Sequence, residues 1–154
     1  MNINPFEKFN SEWALVTSGE SNNFNTMTIS WGSMGTVWSK SVVTIYVRPD
    51  RYTWKFLKEY DKFTITFFPP MYHDDLLTLG RLSGKNTNKV ELTQLTPIAL
   101  DDTIGFEEAS TTIICKKIYM APMNYEDVPE YAKAIYQNGI QPHYIIMGEV
   151  LNIK

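Results

Sequence analysis

The sequence predicts a mainly β domain: a small antiparallel barrel carrying a few short helical inserts. Two observations carry that prediction. Aromatic residues make up 14% of the chain, as 8 Phe, 4 Trp and 9 Tyr, and rings favour strands and bury large areas. Several segments alternate apolar and polar residues with period two, and the helical-period stretches between them are short.

The alternation is clearest at three places. Thr26 to Trp31 sets Met27, Ile29 and Trp31 on one face and Thr26, Thr28 and Ser30 on the other. Val43 to Arg48 has Val43, Ile45 and Val47 as its apolar set, and Lys62 to Phe67 has Phe63, Ile65 and Phe67. One apolar face per strand predicts a sheet whose other face is wet or turned to a ligand. Between the last two strands, Tyr52, Phe56, Leu57 and Tyr60 recur at helical spacing. A helix over residues 51–60 follows, with Pro49 ending the strand before it and Thr53 or Asp50 as its cap. A second short helix is expected over residues 72–80, after Pro69-Pro70. The polar run from Gly80 to Lys89 reads as an exposed loop. Strands resume at 104–109, 111–120 and 143–153, and a helix over 128–137 interrupts them, with Gly139 placed to end it.

At 154 residues the chain fits a single domain spanning 1–154. A chain of about 150 residues buries roughly 68–70% of its unfolded surface, so it folds without staples. The formal charge of −3 gives no general attraction to nucleic acid or anionic lipid. No apolar run reaches the about 18 residues of a membrane span. The first residues lack the basic-then-apolar order of a secretory signal. The single cysteine, Cys115, suits a reducing compartment, so the expected address is the cytoplasm, with no nucleic-acid or membrane partner.

Three segments are candidates for a site. Arg48-Pro49-Asp50-Arg51-Tyr52-Thr53 joins a strand to a helix, and a helix start offers free N–H donors and a positive dipole end. Two guanidinium forks and a hydroxyl beside it suit a phosphate; the plain alternative is surface pairing with Asp50 or Glu59. The hydroxyls of Thr26, Thr28 and Ser30 point one way along a strand and suit a groove, although Thr on an exposed strand face is ordinary. Ser83-Gly84-Lys85-Asn86 with Lys89 offers a close backbone approach and point charges, against the default of a solvated loop. Neither His73 nor His143 has metal-ligand spacing, Cys115 reads as a buried thiol, and no metal set is expected. Hydrolase, zincin and dinucleotide fingerprints are absent. Trp31, Trp38 and Trp54 are expected in the core or at an interface.

Taken together, Asn25-Thr26-Met27-Thr28-Ile29-Ser30-Trp31-Gly32, Val47-Arg48-Pro49-Asp50-Arg51-Tyr52-Thr53 and Phe63-Thr64-Ile65-Thr66-Phe67-Phe68 resemble the flavin reductase-like family of FMN-binding split barrels. The Ser83-Gly84 loop and Tyr144-Ile145-Ile146-Met147-Gly148-Glu149-Val150 extend the resemblance over nearly the whole chain. It implies a six-stranded antiparallel Greek-key split barrel that forms a homodimer, with tightly bound FMN near the interface. Thr28, Ser30 and Trp31 would lie along the flavin and its ribityl chain. Arg48, Arg51, Tyr52 and Thr53 would hold or border the phosphate, Ser83, Gly84 and Lys89 would close over it, and Phe67 with Phe68 would border the site. The family loop often reads Ser-Gly-Arg-Asp, whereas Lys85 and Asn86 here remove a bidentate fork and a charge.

The implied activity is reduction of flavin or another acceptor through FMN, with NADH or NADPH as co-substrate. Flavin carries that chemistry itself, so no catalytic acid or base is assigned from sequence. The alternatives are an FMN electron carrier of flavoredoxin type, reduced by a partner protein, or a barrel that has exchanged its cofactor for another ligand.

Overall fold

In the computed structural model, which describes residues 3–154, one antiparallel sheet bends until its inner face meets itself. The chain opens with a short helix α1 (Pro5–Glu7) and a π-helical turn (Lys8–Glu12). Then come β1 (Ala14–Glu20), β2 (Asn23–Ile29), β3 (Gly32–Val37) and β4 (Lys40–Val47). Helix α2 (Tyr52–Glu59), β5 (Lys62–Phe67) and helix α3 (His73–Arg81) follow. A ribbon of β6 (Pro97–Leu100) and β7 (Thr103–Phe106) precedes β8 (Thr111–Pro122), helix α4 (Glu130–Lys133) and β9 (Tyr144–Ile153).

The main sheet runs β2-β1-β5-β8-β9-β4-β3, with β6 and β7 paired apart from it. It thus holds seven strands, one more than six, because residues Ser30 and Trp31 break the second segment and the chain returns as β3. Ala14 and Val16, Met27 and Ile29, Val43, Ile45 and Val47, Phe63, Ile65 and Phe67, Ile113, Cys115 and Ile146 form a single cluster. Strands that are far apart in the sheet order share that cluster only if the sheet is rolled. The two ends of the order, β2 and β3, are not paired, which leaves a seam that is bridged by Ser30 and Trp31. Register shifts in β8 at Ile114/Cys115 and Lys117/Tyr119 are bulges, which bend a strand and sharpen its twist.

The expected wet outer face is corrected along β5. Thr64 and Thr66 are fully buried, and Thr64 donates to the Ile104 carbonyl at 2.7 Å. The reason is a second core of Leu15, Phe68, Leu76, Leu79, Val90, Leu95 and Phe106 that covers the outside of the barrel there. The predicted helix over 128–137 is broken into α4 and a 3-10 turn (Ala134–Tyr136). His73 opens α3 and stacks on Trp13, with ring centres 4.1 Å apart.

Tight packing at β9 yields a stability prediction. A Cβ on Gly148 would meet Phe63 Cζ at 2.5 Å and Cys115 Cβ at 2.6 Å. Overpacking a filled core costs roughly 1–3 kcal/mol. Gly148→Ala is therefore expected to lower the unfolding free energy by that amount, read as a lower urea midpoint with an unchanged slope.

Candidate functional site

The polar groups of the three sequence candidates gather round one helix end. Helix α3 stops at Arg81, and its last carbonyls have no partner within the helix. Thr28 on β2 donates its hydroxyl to the Leu76 carbonyl, one turn back from that end. Arg51 donates one guanidinium nitrogen to the Gly80 carbonyl at 2.8 Å. Lys89 donates to the carbonyls of Leu79 at 2.8 Å and Leu82 at 3.0 Å. One residue from each sequence candidate thus meets the others here.

Two clefts open on either side of Arg51. The larger, of about 360 Å³, lies at the barrel seam and is lined by Thr28, Ser30, Trp31, Tyr46, Arg48 and His143, among others. The smaller, of about 90 Å³, is lined by Asn25, Arg51, Tyr52, Thr53, Ser83, Gly84 and Lys89. Arg51 and Met27 line both. The larger volume falls in the roughly 300–1,000 Å³ range of small-molecule sites.

The smaller cleft is suited to an anion. Arg51 sits at the N-cap of α2, and no side chain caps the helix. The first-turn amides of Tyr52 and Thr53 therefore have no side-chain acceptor. The expected caps are otherwise engaged: Asp50 accepts from Arg48 at 3.0 Å, and Thr53 accepts from Asn25 Nδ2 at 2.7 Å. A Cβ on Gly84 would meet Asn25 Oδ1 at 2.0 Å, so only glycine lets the loop approach β2 this closely. Lys89 is 3% exposed; burial, with the charge of Arg51 beside it, pulls its ammonium down to about 8.

The larger cleft has an aromatic wall. The rings of Trp31 and His143 lie 4.7 Å apart at a tilt of 42°, and His143 Nδ1 shares a hydrogen bond of 2.7 Å with the Tyr136 hydroxyl. Burial, reinforced by Arg48 and opposed by Asp50, lowers the His143 imidazole to about 4. A neutral ring therefore faces the cleft at ordinary pH. Trp31 is 46% exposed, off the core to which alternation assigned it.

Three sequence-derived placements change. Arg48 lines the larger cleft and not the smaller, so it flanks Trp31 and His143 and leaves the anion-suited side to Arg51. Phe67 is fully buried, packed edge-on against Phe9 at 5.6 Å, and Phe68 belongs to the outer core; neither lines a cleft. Phe67 keeps its ring among the core side chains and Phe68 among those of the outer core, away from both clefts. Sequence reasoning missed Asn25, Tyr46 and His143, whose only signal is spatial convergence. Among the described residues, no three His, Cys, Asp or Glu side chains are grouped to hold a metal, and no helix is long and apolar enough to cross a membrane.

A rolled sheet with a ligand-sized cleft at its open seam defines a split-barrel architecture. The chain belongs to the flavin reductase-like family, whose domain, described as "Flavin reductase like domain", matches residues 6–154. Among solved structures it is similar to an FMN-binding protein from Thermus thermophilus with bound 1-cyclohex-2-enone, at 16% identity and a TM-score of 0.74, covering 100% of this chain and 78% of that one. It is also similar to flavoredoxin of Desulfovibrio vulgaris (Miyazaki F), at 21% identity and a TM-score of 0.72, covering 92% and 68%. Flavoredoxin from Methanosarcina acetivorans matches at 15% identity and a TM-score of 0.72, covering 93% and 67%. At these identities the likeness establishes the fold. No curated protein matches.

Lys89 provides a test of the buried helix end. Its folded pKa of about 8 lies below the ordinary 10.5, so the unfolded chain binds more protons between those values. Its contribution therefore destabilises below about pH 8 and is relieved as pH rises towards 10.5. Wild-type unfolding free energy, relative to Lys89→Met, is expected to increase between these limits, as read by urea melts across that range.

Proposed function

We propose that the chain is an FMN-binding oxidoreductase that takes a hydride from NADH or NADPH and passes the electrons to flavin or another acceptor. The observation that carries this reading is the junction at Arg51, where an anion-suited cleft meets an aromatic-walled cleft of ligand size. Family membership supports it, as do neighbours named as FMN-binding protein and flavoredoxin.

The residues present fit the group. Tyr52 and Thr53 amides, Arg51 and the Ser83 hydroxyl would hold the phosphate, because an uncapped helix start and a guanidinium favour a dianion. Lys89 is committed to the carbonyls of α3 and would add charge without leaving them. Thr28, Ser30 and Trp31 would border the ribityl chain and ring, with Gly84 letting the loop close over the phosphate. Bound FMN supplies hydride acceptance and electron transfer, which no amino-acid side chain provides.

The chain's own work is then orientation and exclusion. Arg48, half-buried and paired with Asp50, places positive charge beside the ring cleft, where it would stabilise negative charge developing on a bound ligand. His143 is kept uncharged by burial, and its bond to Tyr136 fixes the imidazole plane against Trp31. A neutral ring adds no further cation to a cleft that Arg48 and Arg51 already line. In this reading the working unit is a homodimer. Phe6, 85% exposed, and Trp31 border an apolar groove of about 340 Å³ beside the ring cleft, which a second copy would cover. Sedimentation equilibrium at micromolar concentration is expected to give twice the chain mass, and a monomer would refute the dimer.

Arg51→Ala is expected to weaken FMN binding, since each charge-assisted bond lost costs about 1.5–3 kcal/mol. Equilibrium titration reads this, and unchanged affinity would move the phosphate elsewhere. Under anaerobic conditions, the FMN-loaded protein should bleach with NADH or NADPH and turn over with an acceptor. Inert nucleotides with rapid reduction by a partner protein would assign an electron carrier instead.

A further inference from the structure

Between the 3-10 turn that ends at Tyr136 and the start of β9, residues 137–142 form a short loop. The hydrogen bond between the Tyr136 hydroxyl and His143 Nδ1 closes it at its base. At its tip stand Asn138 and Gly139, both exposed and both in the left-handed region, at φ +58° and +80°. Asparagine and glycine are the residues that such a turn favours. Of the asparagines in the chain, Asn138 alone precedes a glycine. We propose that Asn138 is a site of spontaneous covalent modification, in which its carboxamide cyclises onto the Gly139 nitrogen and hydrolyses to aspartate and isoaspartate, and that the isoaspartate form releases His143 from Tyr136.

Both reacting groups are unengaged. Among the described residues, neither the Asn138 carboxamide nor the Gly139 N–H has a hydrogen-bond partner. A Cβ on Gly139 would meet nothing within 4 Å, and glycine puts no side chain beside the attacking nitrogen. One bond of 3.2 Å, from the Ile140 N–H to the Gln137 carbonyl, holds the turn, at the long end of the usual range. Opening it frees the backbone rotation that a five-membered closure needs. The reaction then balances with water alone. Solvent base takes the Gly139 amide proton, the nitrogen bonds to Asn138 Cγ, the Cγ–Nδ2 bond breaks and ammonia leaves. Water opens the resulting imide at either carbonyl, and opening at the main-chain carbonyl routes the chain through Cγ, which is isoaspartate. That product carries one more main-chain carbon and a carboxylate. The added length has to be taken up on the side of Tyr136. His143 is anchored by its carbonyl, which accepts from the Met123 N–H at 2.9 Å, and by the pairing of Tyr144 with Val47 and Pro122. Tyr136 ends a turn of three residues only.

The test incubates the folded full chain at mildly alkaline pH and maps its peptides by mass spectrometry, with enzymatic methylation to mark isoaspartate. Residue 138 is expected to turn to acid roughly tenfold faster than any other asparagine, equivalent to about 1.4 kcal/mol in barrier, and Asn138→Gln is expected to remove that product. Conversion at residue 138 no faster than elsewhere overturns the site. The isoaspartate form, separated by chromatography, and the variant Asn138→Asp are then compared by NMR titration of the His143 ring. Asn138→Asp carries the charge without the added carbon. The isoaspartate form is expected to titrate above the starting value of about 4, towards 6.5, as the ring loses its cover, and to do so further than Asn138→Asp. An unmoved titration in the isoaspartate form, or an equal movement in Asn138→Asp, overturns the release of His143 and leaves the modification site standing.

Discussion

The carbonyls at the end of α3 are the constraint round which the site is arranged. A helix that stops against a barrel must find donors for its last carbonyls, since a buried unpaired acceptor costs about 1–3 kcal/mol. Here those donors come from two separate segments, Arg51 at the start of α2 and Lys89 beyond the loop, while Thr28 on β2 holds the preceding turn through the Leu76 carbonyl. Satisfying one helix end therefore locks the positions of the strand, the anion-suited helix start and the loop relative to each other. The clefts are the spaces that remain between these tied elements. Preorganisation of the site and stability of the fold are, at this point, the same set of hydrogen bonds.

That double duty divides the charges. Lys89 is spent on carbonyls and buried, while Arg51 uses one nitrogen there and has the rest of its fork available. A fork can serve two partners in a plane, whereas an ammonium held by two carbonyls has little left to offer. The same logic distinguishes the two ends of α2. Its C-terminal carbonyls are capped by Lys117, which donates to Leu57, Lys58 and Tyr60, and its N-terminus is left without a side-chain cap. The end facing the cleft stays open and the end facing away is closed.

The fold was legible wherever one physical signal dominated. Alternation located β2, β4 and β5, and helical spacing located α2, because each has one face in the barrel core. It failed for β1, where Ala14 to Gly19 is buried on both faces, so no period survives in the residues. It also misjudged the outer face of β5, since threonine satisfied by the Ile104 carbonyl reads the same as threonine facing water. The six-residue β3 has an exposed, glycine-containing pattern that resembles a loop until its partner β4 is known.

The site was legible to the extent that its residues are contiguous. Arg51, Tyr52 and Thr53 follow one another, and a helix start makes their common direction predictable. Trp31 shows where period-two logic breaks: the strand ends at Ile29, so the next position of the period no longer points inward and the ring turns to the seam. Phe67 shows the reverse, since the strand persists and holds its ring in the core. His143 carries no local signal at all. Its importance comes from Trp31, Tyr136 and Arg48, which lie near it only after β9 pairs with β4 and the turn before it folds back. Long-range register thus decides which isolated polar residues become a site, and that information resides in the pairing of strands rather than in any one segment.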